Sequence, residues 1–326
     1  MDCRRKLIGH EAKTQNWGYF FVAPFVVVFC IFSLWPVIYT FLLGFTDLRG
    51  LRRDFNFIGL ENFAKLIKDR YFWDALQNTF IIWGFNFIPQ LGLALVLAVW
   101  FSDVRLNPAG RGLFRAVIYL PNLLTAVSVA MLYRSIFGFN SYANAPANQF
   151  LRYLSIYNIS TVNGEVVRDA FNFFRSVLFS RGLVAFIQWW MWYGHTLILL
   201  MAGITSIPVS LYEAAVVDGA NIRQTSWRIT LPLLRPVILY ILITSMIGGM
   251  QMFEIPFLLT DMRGAPNFKI RTTAVYQYNM AFQGRNDYAY GAAISIGIFI
   301  VTTILALLIF FFLQDRSELR KRKGAA

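Results

Sequence analysis

This chain is short of charge. Only 14% of its 326 residues are charged, where a soluble protein carries about a quarter. Histidine and cysteine are scarcer still, at two each. Cys3 lies in the N-terminal tail and Cys30 inside an apolar run, so neither a disulfide nor a metal site is expected from them. So few histidines, and no cluster of acids, leave nothing from which a membrane-embedded enzyme could assemble metal or acid–base chemistry. No Gly-x-x-x-x-Gly-Lys-Ser/Thr segment occurs either, so the chain carries no nucleotide site of that type. Tandem repeats and low-complexity tracts are absent from the sequence.

What fills the chain is apolar. It is 57% hydrophobic, with 32 Phe, 15 Tyr and 9 Trp, and its mean hydropathy is +0.52. The net charge of +13 would suit a nucleic-acid binder. No basic stretch sits in a plausible soluble domain, however, so lysines and arginines flanking membrane spans and meeting anionic lipid explain it better, and no nucleic-acid partner is expected.

A helix needs ~20 mostly apolar residues to cross a bilayer. Six runs qualify, at about 19–45, 75–101, 113–137, 183–207, 237–259 and 290–313. The expected fold class is an all-α membrane protein with six transmembrane helices. Its expected parts are a tail over 1–18, a first helix over 19–45, an external loop over 46–74, a five-helix core over 75–313 with a long external loop at 138–182, and a basic tail over 314–326. The first run lacks a small-x-small cleavage site and reads as a retained anchor.

Basic residues orient such a chain. Its 30 lysines and arginines divide equally between the two sets of alternating loops. The set containing both termini is shorter and therefore denser in charge, and Arg320-Lys321-Arg322-Lys323 follows the last run closely. Both termini are accordingly expected in the cytoplasm. In the external segments, Leu60 to Ile67 is amphipathic enough to lie on the membrane surface, and Val166 to Phe179 has the spacing of a short helix.

Between the fourth and fifth runs lies a polar-punctuated stretch, residues 208–236, that reads as a surface helix–turn–helix. Ser210 is the expected N-cap, with Glu213 three residues on as the capping-box acid. Glu213, Ala214 and Ala215 open a short helix with a small-residue face. Asp218, Gly219 and Ala220 follow, Gly219 supplying the turn. A second amphipathic run, Ile222 to Ile229, is expected to stop at Leu231-Pro232.

This stretch resembles the EAA loop of ATP-binding-cassette (ABC) importer permeases, whose signature is Glu-Ala-Ala, three residues, Gly, then Ile-x-Leu-Pro. Asp218-Gly219-Ala220 and Leu231-Pro232-Leu233-Leu234-Arg235-Pro236 narrow the resemblance to the carbohydrate-uptake permeases. Gly59-Leu60-Glu61-Asn62-Phe63, Phe72-Trp73, Asn78-Thr79, Gly110-Arg111-Gly112-Leu113-Phe114-Arg115, Leu120-Pro121, Gln251-Met252-Phe253-Glu254 and Tyr288-Ala289-Tyr290-Gly291-Ala292-Ala293 are similar to segments of the maltose- and glycerol-phosphate-type members. One departure is the loop Thr260-Asp261-Met262-Arg263-Gly264-Ala265-Pro266, where the family often has Thr-Gly-Gly-Gly-Pro.

The resemblance implies the type I ABC importer permease fold in the bacterial inner membrane and a transport subunit that is not itself an enzyme. It implies a second homologous permease forming a heterodimer, a pair of ABC ATPase subunits binding ATP and magnesium, and an extracytoplasmic solute-binding protein. This chain would hold no cofactor. Residues 213–215 and 218–220 would form the coupling helix and its turn, gripped by the ATPase.

It also implies a sugar site on the fourth and fifth spans. There Gln188, Trp192 and His195 recur at three- and four-residue spacing and share a helix face, with Trp189 close by. Gln251 and Glu254 have the same relation, among Gly248, Gly249 and Met252. Blander roles suit several of these residues and other polar or aromatic ones in the spans. Trp189, Trp190 and Trp192 also fit an interfacial aromatic belt, His195 a packed histidine, Glu254 an inter-subunit ion pair, and Asn86 and Gln90 interhelical glue. A non-sugar cargo such as a glycerol-phosphate or sugar acid stays open, as does an ion-coupled carrier, although that class usually shows midplane acids and a repeat.

Overall fold

A computed structural model describes residues 19–50, 55–102, 111–139, 141–162, 165–284 and 286–313. The tails at 1–18 and 314–326, with Cys3 and the basic cluster at 320–323, lie outside the described residues, as does Gly110. Among the described residues, five helices are long and apolar enough to cross a membrane, and a sharply bent pair gives a sixth if it is counted as one span. The chain divides into two compact units, residues 1–68 with 280–297 and residues 69–279 with 298–326.

The first unit contains helix α1 (Tyr19–Leu43), interrupted by a π-helical stretch at Cys30–Leu34. Its large apolar side chains are exposed, as lipid-facing residues of a span must be. Helix α2 (Glu61–Lys68) is anchored by Asn62, whose buried Nδ2 donates to the carbonyls of Gly44 (3.0 Å) and Thr46 (2.8 Å). Asp287 is paired with Arg49 at 3.1 Å and Lys65 at 3.9 Å, and accepts from the Tyr290 N–H at 3.1 Å. That carboxylate caps the start of the last span, the helix Tyr288–Leu313.

In the second unit, α3 (Arg70–Ser102) packs along much of its length against α7 (Val177–Thr205). The intervening elements are α4 (Arg111–Tyr119), α5 (Ala126–Phe137), α6 (Pro146–Tyr153) and the strands β1 (Asn158–Val162) and β2 (Glu165–Asp169). After α7 come α8 (Val209–Val217), α9 (Ile222–Thr225), α10 (Arg235–Met250), α11 (Glu254–Leu258) and α12 (Thr273–Phe282), and the Tyr288–Leu313 helix is α13. Two apolar clusters hold the bundle. One joins Ile82, Val129, Ile187, Met252 and Ile255. The other joins Phe87, Leu197, Leu200, Leu234 and Ile241.

Four sequence expectations change. The third span is not one helix: α4 passes into a 3₁₀ turn at Leu120–Leu123, Leu124 is extended, and α5 leaves at 83°. Pro121 lacks an N–H to continue the ladder, and Thr125 caps the new helix by accepting from Ser128 N–H at 3.3 Å. Val166–Phe179 is not a helix. Its first residues form β2, antiparallel to β1 with Val162 opposite Glu165. The sequence pair between the strands is Asn163-Gly164, a strong hairpin dipeptide between β-branched runs.

Ser210 is not an N-cap. Pro208 holds that position and α8 begins at Val209, because proline suits a helix start. Nor does Pro232 stop the second half of the hairpin. The chain runs from α9 through a π-helical stretch, Ser226–Thr230, into the turn Leu231–Leu233, where Pro232 occupies an early helical position needing no N–H partner.

The loop after α11, where the sequence departs from the family pattern, is tied down on every side. Asp261 Oδ1 accepts from the N–H groups of Arg263 and Ala265, both at 3.1 Å. Asn78 donates to the Phe268 carbonyl at 2.9 Å, Arg181 donates to that of Lys269 at 2.9 Å and to Asn78, and Thr272 donates to that of Met252 at 2.7 Å. Arg271 sits buried against the Phe268, Tyr276 and Tyr71 rings. Burial pulls its pKa below the usual arginine value, while Tyr276, Asp69, Tyr71 and Asp74 oppose that shift.

Candidate functional site

Two places in the second unit hold the residues singled out from sequence. The first is a cavity of about 520 Å³, a size suited to a small organic ligand. It is bounded by α3, the α4–α5 break, α7, α10 and the start of α11. All eight candidates, Gln188, Trp192, His195, Gly248, Gly249, Gln251, Met252 and Glu254, line it.

Helical spacing explains the α7 contribution. Gln188, Trp192 and His195 fall near the middle of a 29-residue helix and point the same way. Trp192 is 47% exposed and meets the His195 ring edge-on at 6.1 Å. Trp189 and Trp190 turn elsewhere. Trp189 stacks on Tyr193 at 5.6 Å, and Trp190 packs on the Ile82–Ile187 cluster.

On α10 the backbone, not a side chain, faces the space at Gly248 and Gly249. The Trp83 indole lies directly over Gly249, leaving no room for a Cβ. Trp83 is itself held by its Nε1–H donating to Ser245 Oγ at 3.2 Å. The α-helix ends at Met250, Gln251 follows it, and Glu254 opens α11. Gln251 and Glu254 are exposed, whereas Met252 is buried.

Gln90 is the interhelical glue expected of it and, like Asn86, also lines the cavity. Gln90 Nε2 donates to Thr196 Oγ1 at 2.7 Å and reaches the Trp192 carbonyl at 3.5 Å. A carbonyl can only accept, which fixes the amide orientation. Both residues also line the cavity, and Asn86 Oδ1 and Gln90 Oε1 are buried without a donor.

Asn122, Thr196, Thr244 and Ser245 were missed and also line the space. Thr196 lies one turn beyond Trp192 on the same face, which spacing alone could have found. Asn122 could not be found that way, because the break in the third span delivers it, with its Nδ2 donating to the Met191 carbonyl at 3.3 Å.

The second place is the hairpin of α8 and α9. Gly219 has φ +74, a conformation that costs other residues energy. Ala220 N–H donates to Ala215 O at 2.9 Å and Gly219 N–H to Val216 O at 3.1 Å, the Schellman pair that closes a helix. Asn221 then caps α9 in a reciprocal box with Gln224, at 2.8 and 2.9 Å. The Tyr212 and Thr230 hydroxyls meet at 3.2 Å and tie the two halves together. Ala215 is buried, whereas Glu213, Ala214, Asp218 and Gly219 are exposed and Ala220 half-buried. Around them Val209, Leu211, Val216, Val217, Ile222 and Trp227 are exposed, Val217 at 88%.

The chain is similar to known proteins in both sequence and fold. Residues 90–323 match the family "Binding-protein-dependent transport system inner membrane component". The chain is 29% identical to the lactose transport system permease protein LacF of Rhizobium radiobacter, over 92% of this chain and 94% of that one. It is 31% identical to the arabinooligosaccharides transport system permease protein AraP of Bacillus subtilis, over 89% of this chain and 86% of that one. It is 30% identical to the trehalose/maltose transport system permease protein MalF of Thermococcus litoralis, over 95% and 98% respectively. Its fold matches a chain from the crystal structure of a bacterial ABC transporter involved in the import of the acidic polysaccharide alginate. The TM-score is 0.76 at 23% identity, covering 94% of this chain and 98% of that one.

Proposed function

The chain belongs to the family of binding-protein-dependent transport system inner membrane components, and from that membership we propose that it moves a sugar through the cavity by alternating access, driven by ATPase subunits that grip its α8–α9 hairpin. It is a permease subunit and not an enzyme. The observation that carries the sugar reading is the cavity lining. Trp192 offers an apolar face to sugar C–H groups, and Gln188, Asn122, Thr244, Ser245 and Gln251 offer hydrogen bonds to hydroxyls. Relatives named for lactose, arabino-oligosaccharides and trehalose or maltose support the same reading.

The hairpin supports the coupling role. Exposed apolar side chains on a hairpin whose turn is closed by the end of α8 and the cap of α9 suit a surface that another protein covers. The alanines permit close approach, and Glu213 is free to meet a basic or backbone partner. In this reading ATP and magnesium sit in the partner ATPase dimer, a second homologous permease completes the pathway, and an extracytoplasmic solute-binding protein delivers the sugar. The hairpin and both termini then lie in the cytoplasm. ATP shifts the spans between inward- and outward-open states only by favouring one of them.

The test is sugar uptake by the assembled importer in proteoliposomes. Uptake is expected to require ATP and to persist when ion gradients are collapsed. Uptake driven by an ion gradient through this chain alone would replace the proposal with an ion-coupled carrier.

A further inference from the structure

We infer that the cavity selects an uncharged, hydroxyl-rich saccharide and rejects carboxylated ones, an inference that rests on the sugar reading above. Among the described residues that line it, there is no lysine or arginine, and the one carboxylate is Glu254. Basic side chains on two of the flanking helices are committed elsewhere. Arg134 on α5 donates to the Leu258 carbonyl at 2.8 Å, and Arg181 on α7 to Lys269 O and Asn78.

A carboxylate entering this space would lose water and find neither lysine nor arginine among the described lining residues to replace it, with His195 the one imidazole. An ionised group taken from water needs a charge partner or several donors, and Glu254 would add like-charge repulsion. Asn86 Oδ1 and Gln90 Oε1 are acceptors without a donor, and Gln90 Nε2 is already spent on Thr196. Such a wall is completed by hydroxyl groups, which donate as well as accept. An anion, which only accepts, cannot donate to either of these oxygens. The fold shared with the alginate importer chain therefore does not carry that protein's acidic cargo with it.

The experiment uses the assembled importer in nanodiscs without its binding protein, and equilibrium dialysis of radiolabelled maltotriose, arabinotriose and trigalacturonate. At least one neutral probe is expected to bind at least roughly tenfold more tightly than trigalacturonate. Glu254→Gln should narrow that gap and Glu254→Lys should narrow it further, through tighter trigalacturonate binding. Trigalacturonate binding as well as or better than both neutral probes would overturn the inference and leave the sugar reading intact. A gap that Glu254→Lys leaves unchanged would overturn the assignment of selectivity to this cavity. If none of the three probes binds, the sugar reading fails and the inference falls with it.

Discussion

The cavity and the α8–α9 hairpin break the ordinary rule of burial in opposite directions. Inside the bundle, Asn86 and Gln90 keep acceptor oxygens buried and unpartnered, where nearly all buried polar groups are paired. On the hairpin, Val216, Val217, Ile222 and Trp227 keep apolar surface bare, where an ordinary soluble surface would be polar. We propose that each region is completed by something else. In the proposed function the missing part is a hydrogen-bonding ligand for one and an apolar protein groove for the other.

If the two regions do different work, substitutions should separate them. The largest effect is expected from Gly219→Val. A β-branched residue at φ +74 is strained by about 1–2 kcal/mol or more, and the turn that presents α8 is lost. ATP-driven uptake should fall by about two orders of magnitude and the ATPase subunits should no longer co-purify, while sugar affinity in detergent stays near wild type. A variant that loses affinity but keeps its ATPase would erase the distinction.

Gln90→Leu should do the reverse. It removes the bond to Thr196 and a cavity acceptor, and leaves Thr196 less well satisfied. Sugar affinity should weaken by about tenfold, or ~1.4 kcal/mol, with co-purification of the ATPase unchanged. The smallest effect sharpens the hairpin itself. Asn221→Ala deletes the observed cap and should cost about 1 kcal/mol of local stability. Ser210→Ala, inside α8, should cost under about 0.5 kcal/mol. Hydrogen exchange of the α9 amides against those of α8 reads both, and equal effects would restore Ser210 as a capping residue.

The cap shows how legibility failed and succeeded. Asn221-x-x-Gln224 is a capping box visible in sequence, but Ser210-x-x-Glu213 fits the same pattern. Only the position of Pro208 at the helix start decides between them. Gly219 was legible because glycine is the residue a sharp helix end needs. The α7 face of the cavity was legible because residues three and four apart must share a side. Asn122 was not, because the local chemistry of Pro121 and Thr125 permits a break without saying where the broken ends point.

The sequence by itself determined the spans, their order, the surface hairpin and the polar residues that could not face lipid. Long apolar runs leave a bilayer no choice but helices, since every backbone group must be bonded within its own segment. Tertiary structure alone decided that the third span bends by 83°, that Trp192 faces the cavity while Trp189 and Trp190 do not, and that Asn86 and Gln90 line the cavity while Gln90 also ties α3 to α7. Those outcomes depend on which side chains from distant segments fill the same space, and the contest for that space is settled by packing between helices, which no single run of residues contains.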